Sequence, residues 1–145
     1  MKKGILAVAI FLLSVLLVSC PVPYSFMHGE PDLDTIRVDI VKLETVMGYH
    51  VGDPYNEENV SVIKVIETDK IEAFLSDFKK IKSYQPLFGS RIDYVSGVAI
   101  RITYANGDVE LITRYGTATV SNEKILIHTT TFDSDAFSEF IAKYS

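Results

Sequence analysis

The chain of 145 residues has one cysteine, three histidines and no tryptophan. A single cysteine excludes an intrachain disulfide and any metal cluster built from several thiolates. His28, His50 and His128 lie far apart, and none sits in a His-Glu-x-x-His spacing. A glycine-rich phosphate loop and a Gly-x-Ser-x-Gly elbow are also missing, so neither a cofactor nor a catalytic set can be assigned. Basic residues are in the minority, 14 Lys and Arg against 19 Asp and Glu, for a formal charge of −5. Nucleic acid is held mainly by Lys and Arg neutralising phosphates, so this balance argues against such a partner. It argues equally against a polybasic grip on anionic lipid.

Long apolar runs are scarce too, with one exception. Ile5 to Val18 is interrupted only by Ser14 and follows the basic start Met1-Lys2-Lys3. As a helix it would reach roughly 21 Å, short of the ~30 Å hydrocarbon core, which fits the apolar part of an export signal better than a membrane span. Pro21 and Pro23 would stop the helix from lengthening. The run ends in Leu17-Val18-Ser19-Cys20, which resembles the lipobox of bacterial lipoproteins. That resemblance implies a diacylglyceryl group on the Cys20 thiol, cleavage before Cys20 and frequent acylation of the new amine. The residues suit the chemistry, since a thiolate is a good nucleophile and Ser19 is small enough for a peptidase pocket. Two or more acyl chains, at ~0.8 kcal/mol per buried methylene, would make a lasting anchor. The expected place is the extracytoplasmic face of the cell membrane, with the membrane itself a partner through the lipid on Cys20. Without Lys2 and Lys3, 12 basic side chains face 19 acidic ones, a formal −7.

The expected organisation is a signal over 1–19, a lipidated cysteine and flexible tether over 20–35, and one domain over 36–145. The tether reading rests on three prolines and a glycine without sustained periodicity. His28, Glu30, Asp32 and Asp34 within it read as solvated linker residues rather than metal ligands.

From Thr35 the pattern tightens. Ile36, Val38 and Ile40 alternate with Arg37 and Asp39 as in a half-buried strand, with an irregularity expected near Val41. Residues 50–59 form a polar loop, and 60–66 a second strand. Asp69 and Glu72 have the spacing of a capping box, and Ile71, Phe74, Leu75, Phe78 and Ile81 then form one helical stripe. Asn106-Gly107 between two alternating runs predicts a hairpin with a two-residue type I′ turn. Its register would place Ile102 opposite Leu111 and leave Arg101 and Glu110 as neighbours on a wet face. A second hairpin turns at Asn122-Glu123, with Ala118 and Val120 facing Ile127 and Ile125. Asp133 caps the last helix, and Phe132 can staple to Phe137.

The fold class is therefore α+β, a mainly antiparallel sheet of about five to seven strands with two helices covering one face. The segments IRITYANGDVELITRYGTATVSNEKIL, FDSDAFSEFIAKY and DKIEAFLSDFKKI make residues 36–145 resemble small α+β domains of unknown function in lipoproteins of Gram-positive bacteria. Those motifs form turns, caps and stripes, so the resemblance implies a fold and brings no catalytic residues.

Little chemistry is left over. His50 and His128 could meet Asp53, but isolated histidines explain them as well. Threonines 129–131 read as β-branched strand residues. The segment 82–96 is the least accounted for, because Tyr84, Phe88, Arg91 and Tyr94 are residue types enriched at recognition surfaces. The expected function is a non-enzymatic binding module for an envelope or secreted protein: an inhibitor, an immunity protein or an assembly accessory. The alternative is a small envelope hydrolase or metal-dependent enzyme using Asp, Glu and His from loops.

Overall fold

Alternation of apolar and polar residues builds most of this chain into strands. A computed structural model describes residues 21, 23–29, 36–46, 57–85, 95–122 and 124–145. Six strands, β1 (Arg37–Val46), β2 (Val60–Val65), β4 (Val95–Thr103), β5 (Val109–Thr113), β6 (Thr117–Ser121) and β7 (Lys124–His128), form one sheet in the order β2-β1-β4-β5-β6-β7. Every pair in it is antiparallel. A two-stranded ladder joins β3 (Ser83–Tyr84) to β8 (Thr131–Phe132). With helices α1 (Ile71–Phe78) and α2 (Ser134–Tyr144), the fold is α+β as the sequence predicts.

Both helices cover the same face. Ile71, Phe74, Leu75 and Phe78 are the buried stripe of α1, and Phe137 and Phe140 that of α2. Phe74 meets Phe140 edge-on at 4.8 Å, and this aromatic layer lies over Val38, Ile40, Ile100, Ile102 and Ile112 of the sheet. The opposite face buries a second cluster that includes Val41, Leu43, Ala99, Leu111 and Val120. Val60 from one edge strand and Ile125 and Ile127 from the other pack against it beside their ladder partners. The outer edge strand β2 leaves Val62, Ile63 and Val65 about half exposed, while a register shift in its pairing with β1 and Lys64 interrupt a flat edge.

The expected irregularity of β1 is present, between Ile40 and Val41. The 118–127 and 120–125 pairs of the second hairpin also form as predicted. So does the cap of α2, where Asp133 accepts from the Ala136 amide at 3.0 Å and Phe132 packs on Phe137 at 5.8 Å.

Two local readings are corrected. The capping box at Asp69 does not form: Thr68–Lys70 is a 3-10 turn, and no side chain caps α1. Its tight backbone bond from the Lys70 amide to the Glu67 carbonyl, at 2.8 Å, does that work instead.

The hairpin at Asn106-Gly107 has three loop residues, not two. The Tyr104 amide bonds the Asp108 carbonyl and the Gly107 amide bonds the Tyr104 carbonyl, both at 2.9 Å. Gly107 takes φ 86°, but Asn106 does not share the positive φ that a type I′ turn demands. Asn106 instead accepts from the Asp108 amide at 3.0 Å, a side-chain bond that fixes a type I turn followed by a glycine bulge. The pairing moves by one residue, to Ile102–Glu110 and Arg101–Leu111. A one-residue slip exchanges the faces. Glu110 therefore lies on the helix side and Arg101 on the other, at 1% and 8% exposure, and the expected wet-face pair does not exist.

Arg101 faces Asp39 across the β1–β4 ladder instead. Its guanidinium donates to Asp39 Oδ2 at 2.7 and 3.1 Å and to Glu57 at 2.7 Å. Arg37 Nε donates to Asp39 Oδ1 at 2.9 Å, so both oxygens of a carboxylate at 0% exposure have donors.

Candidate functional site

Asp108 and Glu110 are two apart on β5 and its preceding turn, so both project toward the helix side. There they hold a segment read from the sequence as tether. Phe26 is 4% exposed and belongs to the main core cluster. Tyr24 packs on Phe26, Phe78 and Phe132 with ring centroids 5.3–5.7 Å apart. Glu110 accepts hydrogen bonds from the Tyr24 hydroxyl, from the Tyr104 hydroxyl at 2.7 Å and from the Met27 amide at 3.0 Å. His28 Nε2 lies 2.8 Å from Asp108 Oδ2, and its ring meets Tyr104 at 4.5 Å. A turn from the Gly29 amide to the Phe26 carbonyl at 3.0 Å ends the segment. Residues 24–28 are thus a docked strap, which corrects the flexible reading over that stretch.

Burial, and then the Glu110 carboxylate, push the Tyr24 and Tyr104 phenols far above their ordinary value of 10.0. A raised phenol stays protonated in the fold while the unfolded chain ionises. The stabilisation is whole below about pH 10 and is lost as pH rises beyond it. Thermal melts in alkaline buffer should show that loss, and Tyr24→Phe, which leaves only the Tyr104 phenol of this pair, should make it shallower. The Ser121 hydroxyl, then Asn106 and His28, hold Asp108 below the ordinary carboxylate range.

Beside the strap the sheet continues as β6 and β7, where the helix side carries Thr117, Thr119 and His128 together with the largely exposed Leu126. The result is an open pocket of about 670 Å³. Tyr24, Ser25 and Met27 of the strap form one wall, and Ser83 and Gln85 another. Glu110, Thr117 and Thr119 make the floor, and His128 with Thr129 and Thr130 closes the far side. Thr119 Oγ1 and His128 Nε2 are 3.4 Å apart. Among the described lining residues there is no Lys or Arg, and Glu110 is the one acid. A smaller cleft of about 330 Å³ lies between Val98, Tyr115 and α2, with a more apolar lining.

The recognition segment 82–96 is described only in part. Tyr84 is half-buried in the β3–β8 ladder, where its carbonyl accepts from Thr131 at 3.4 Å. Phe88, Arg91 and Tyr94 lie outside the described residues, as do His50, Asp53, Glu30, Asp32 and Asp34. Among the described residues no group of three or more His, Cys, Asp or Glu could hold a metal ion.

The strap was not singled out from the sequence, and the threonines at 129 and 130 were read as strand residues rather than as part of a site. A signal did exist, because Tyr24, Phe26 and Met27 place three large apolar side chains in four residues, too many for a solvated linker. No family model matches the chain, and neither a curated protein nor a solved structure matches it.

Proposed function

We propose that the protein is a membrane-anchored envelope lipoprotein whose domain is a non-enzymatic binding module, with its pocket held on the side nearest the bilayer. The anchor rests on Leu17-Val18-Ser19-Cys20. Among the described residues no helix is long and apolar enough to cross a membrane.

The docked strap carries the reading of orientation. Three residues separate Cys20 from Tyr24, four steps of the chain and at most about 14 Å when extended. That is less than the width of a domain of this size, whose radius of gyration alone is about 13 Å. A lipid on Cys20 therefore keeps the pocket wall close to the membrane.

The binding reading rests on how the pocket's acid is used. A general base needs a free lone pair aimed at a substrate. The Glu110 carboxylate is 1% exposed and already accepts from three donors of the chain itself, which leaves it little reach toward a substrate. The hydroxyls around it suit binding rather than proton transfer.

Metabolic labelling with a fatty-acid analogue tests the anchor. The wild-type chain should take up label and Cys20→Ala should not. An unlabelled wild type would contradict the reading.

A further inference from the structure

We propose that the outer edge of β7 is a self-association surface, where two copies of the chain join their sheets antiparallel around Leu126. β7 ends the strand order, and among the described residues no strand pairs with its outer side. Open space meets it there, because Leu126 on the helix side is largely exposed. Ile127 lines the pocket although its side chain shares the far face with Ala118, so the pocket reaches the backbone of this outermost strand.

Exposed edges are normally blunted, and the two edges of this sheet differ in that respect. β2 pairs through a register shift and carries Lys64 in its exposed run. β7 pairs with β6 from Lys124 to His128 without a shift, and its centre, Ile125-Leu126-Ile127, has no charge and no proline. Ile125 and Ile127 are only half-buried, so each leaves apolar surface for a neighbouring strand to cover.

The strand that fits this edge is a second β7. The turn at residues 122 and 123 closes on Ser121–Lys124, which is therefore a hydrogen-bonded pair, and bonding alternates along an antiparallel ladder. Lys124, Leu126 and His128 thus bond toward β6, while Ile125 and Ile127 aim amide and carbonyl outward. Ile-Leu-Ile reads the same in both directions. A two-fold axis at Leu126 places Ile125 opposite Ile127 of the second copy, and every outward amide of these residues meets an outward carbonyl. Leu126 then faces its own counterpart, apolar against apolar. Cross-strand neighbours share a face, so both helix sides, with both straps, lie on one side of the joined sheet. Two lipid anchors of the kind proposed above would reach the same bilayer, and anchoring would raise the effective concentration that a short joint needs. The pairing itself does not depend on the anchor.

The test uses the full chain in a polyoxyethylene detergent with mild copper-phenanthroline oxidation. Opposite residues of a non-hydrogen-bonded pair have Cα atoms ~4.5 Å apart, within the span of a disulfide. Leu126→Cys should cross-link to its counterpart about tenfold faster than Val62→Cys on the other edge, although exposures of 59% and 47% are similar. The wild-type chain gives the background from Cys20, and peptide mapping locates the bridge. Sedimentation equilibrium should show a wild-type dimer. Leu126→Lys and Leu126→Glu should each weaken it about tenfold through like charges at the axis, and mixing the two should restore it. Both variants should keep the far-UV circular dichroism of the wild type. Faster cross-linking through Val62→Cys would place the joint on β2 and overturn the proposal. A monomer at every concentration, or a dimer indifferent to both charged variants, would overturn it as well. So would a monomer that binds a peptide copying residues 122–130, since the edge would then await a strand other than a second copy.

Discussion

Asp39→Ala should lower the stability of the domain by about 3–5 kcal/mol, the cost of leaving one member of a buried ion pair alone. Arg101 is 8% exposed and would lose its buried carboxylate, while Glu57, 2.7 Å away, is largely exposed. The size of the loss comes from a buried guanidinium deprived of its buried carboxylate rather than from the attraction itself. Replacing both members with apolar residues, Asp39→Leu with Arg101→Met, should therefore restore much of it. Urea denaturation of the two variants measures both. A single mutant within about 0.5 kcal/mol of wild type is what an exposed pair would give, and would contradict the buried arrangement.

Phe26→Ala should cost a similar amount, about 3–5 kcal/mol, as large-to-small changes in aromatic cores do. Phe26 sits beside Tyr24 and Phe78 at 5.3 and 6.2 Å, with the Lys79 ammonium 5.6 Å from its ring centre. The variant should also loosen the strap and with it one wall of the pocket. Phe26→Leu, which keeps most of the volume, should lose much less. A solvated tether would tolerate either change within about 0.5 kcal/mol. Both can be read from chemical denaturation of the full chain.

Most of the architecture was legible because patterning and packing agree. The stripe from Ile71 to Ile81, the cap at Asp133 and the hairpin at Asn122 each combine a local signal with a face that can be buried. The first hairpin shows where such agreement misleads. Asn-Gly suits a two-residue turn and a three-residue turn with a glycine bulge alike, since both need positive φ at the glycine. The choice falls to a side-chain bond from Asn106 to the Asp108 amide, which alternation cannot reveal. Once the register moves, Glu110 becomes the floor of the pocket instead of a surface charge.

Asp39 was misread for a related reason. Alternation marks it as the wet side of a half-buried strand, but β1 lies between β2 and β4 and both faces of the sheet are filled. A polar residue there is buried and must find partners, and only the cross-strand position of Arg101 supplies the main one. The strap was hidden by the prolines that precede it. Pro21 and Pro23 signal a break in regular structure, and a segment without regular structure can still dock through side chains. The candidate site escaped the sequence because its walls come from five separate stretches, 24–27, 83–85, 110, 117–119 and 127–130.

The central claim is that residues 24–28 belong to the domain and wall its pocket. Hydrogen exchange of the Met27 amide in the full chain tests it most directly. This amide donates to a Glu110 carboxylate that is 1% exposed. Its exchange should be slowed by orders of magnitude relative to a free peptide, and should speed up in Phe26→Ala. Exchange of Met27 at the free-peptide rate in the wild-type chain would contradict the account.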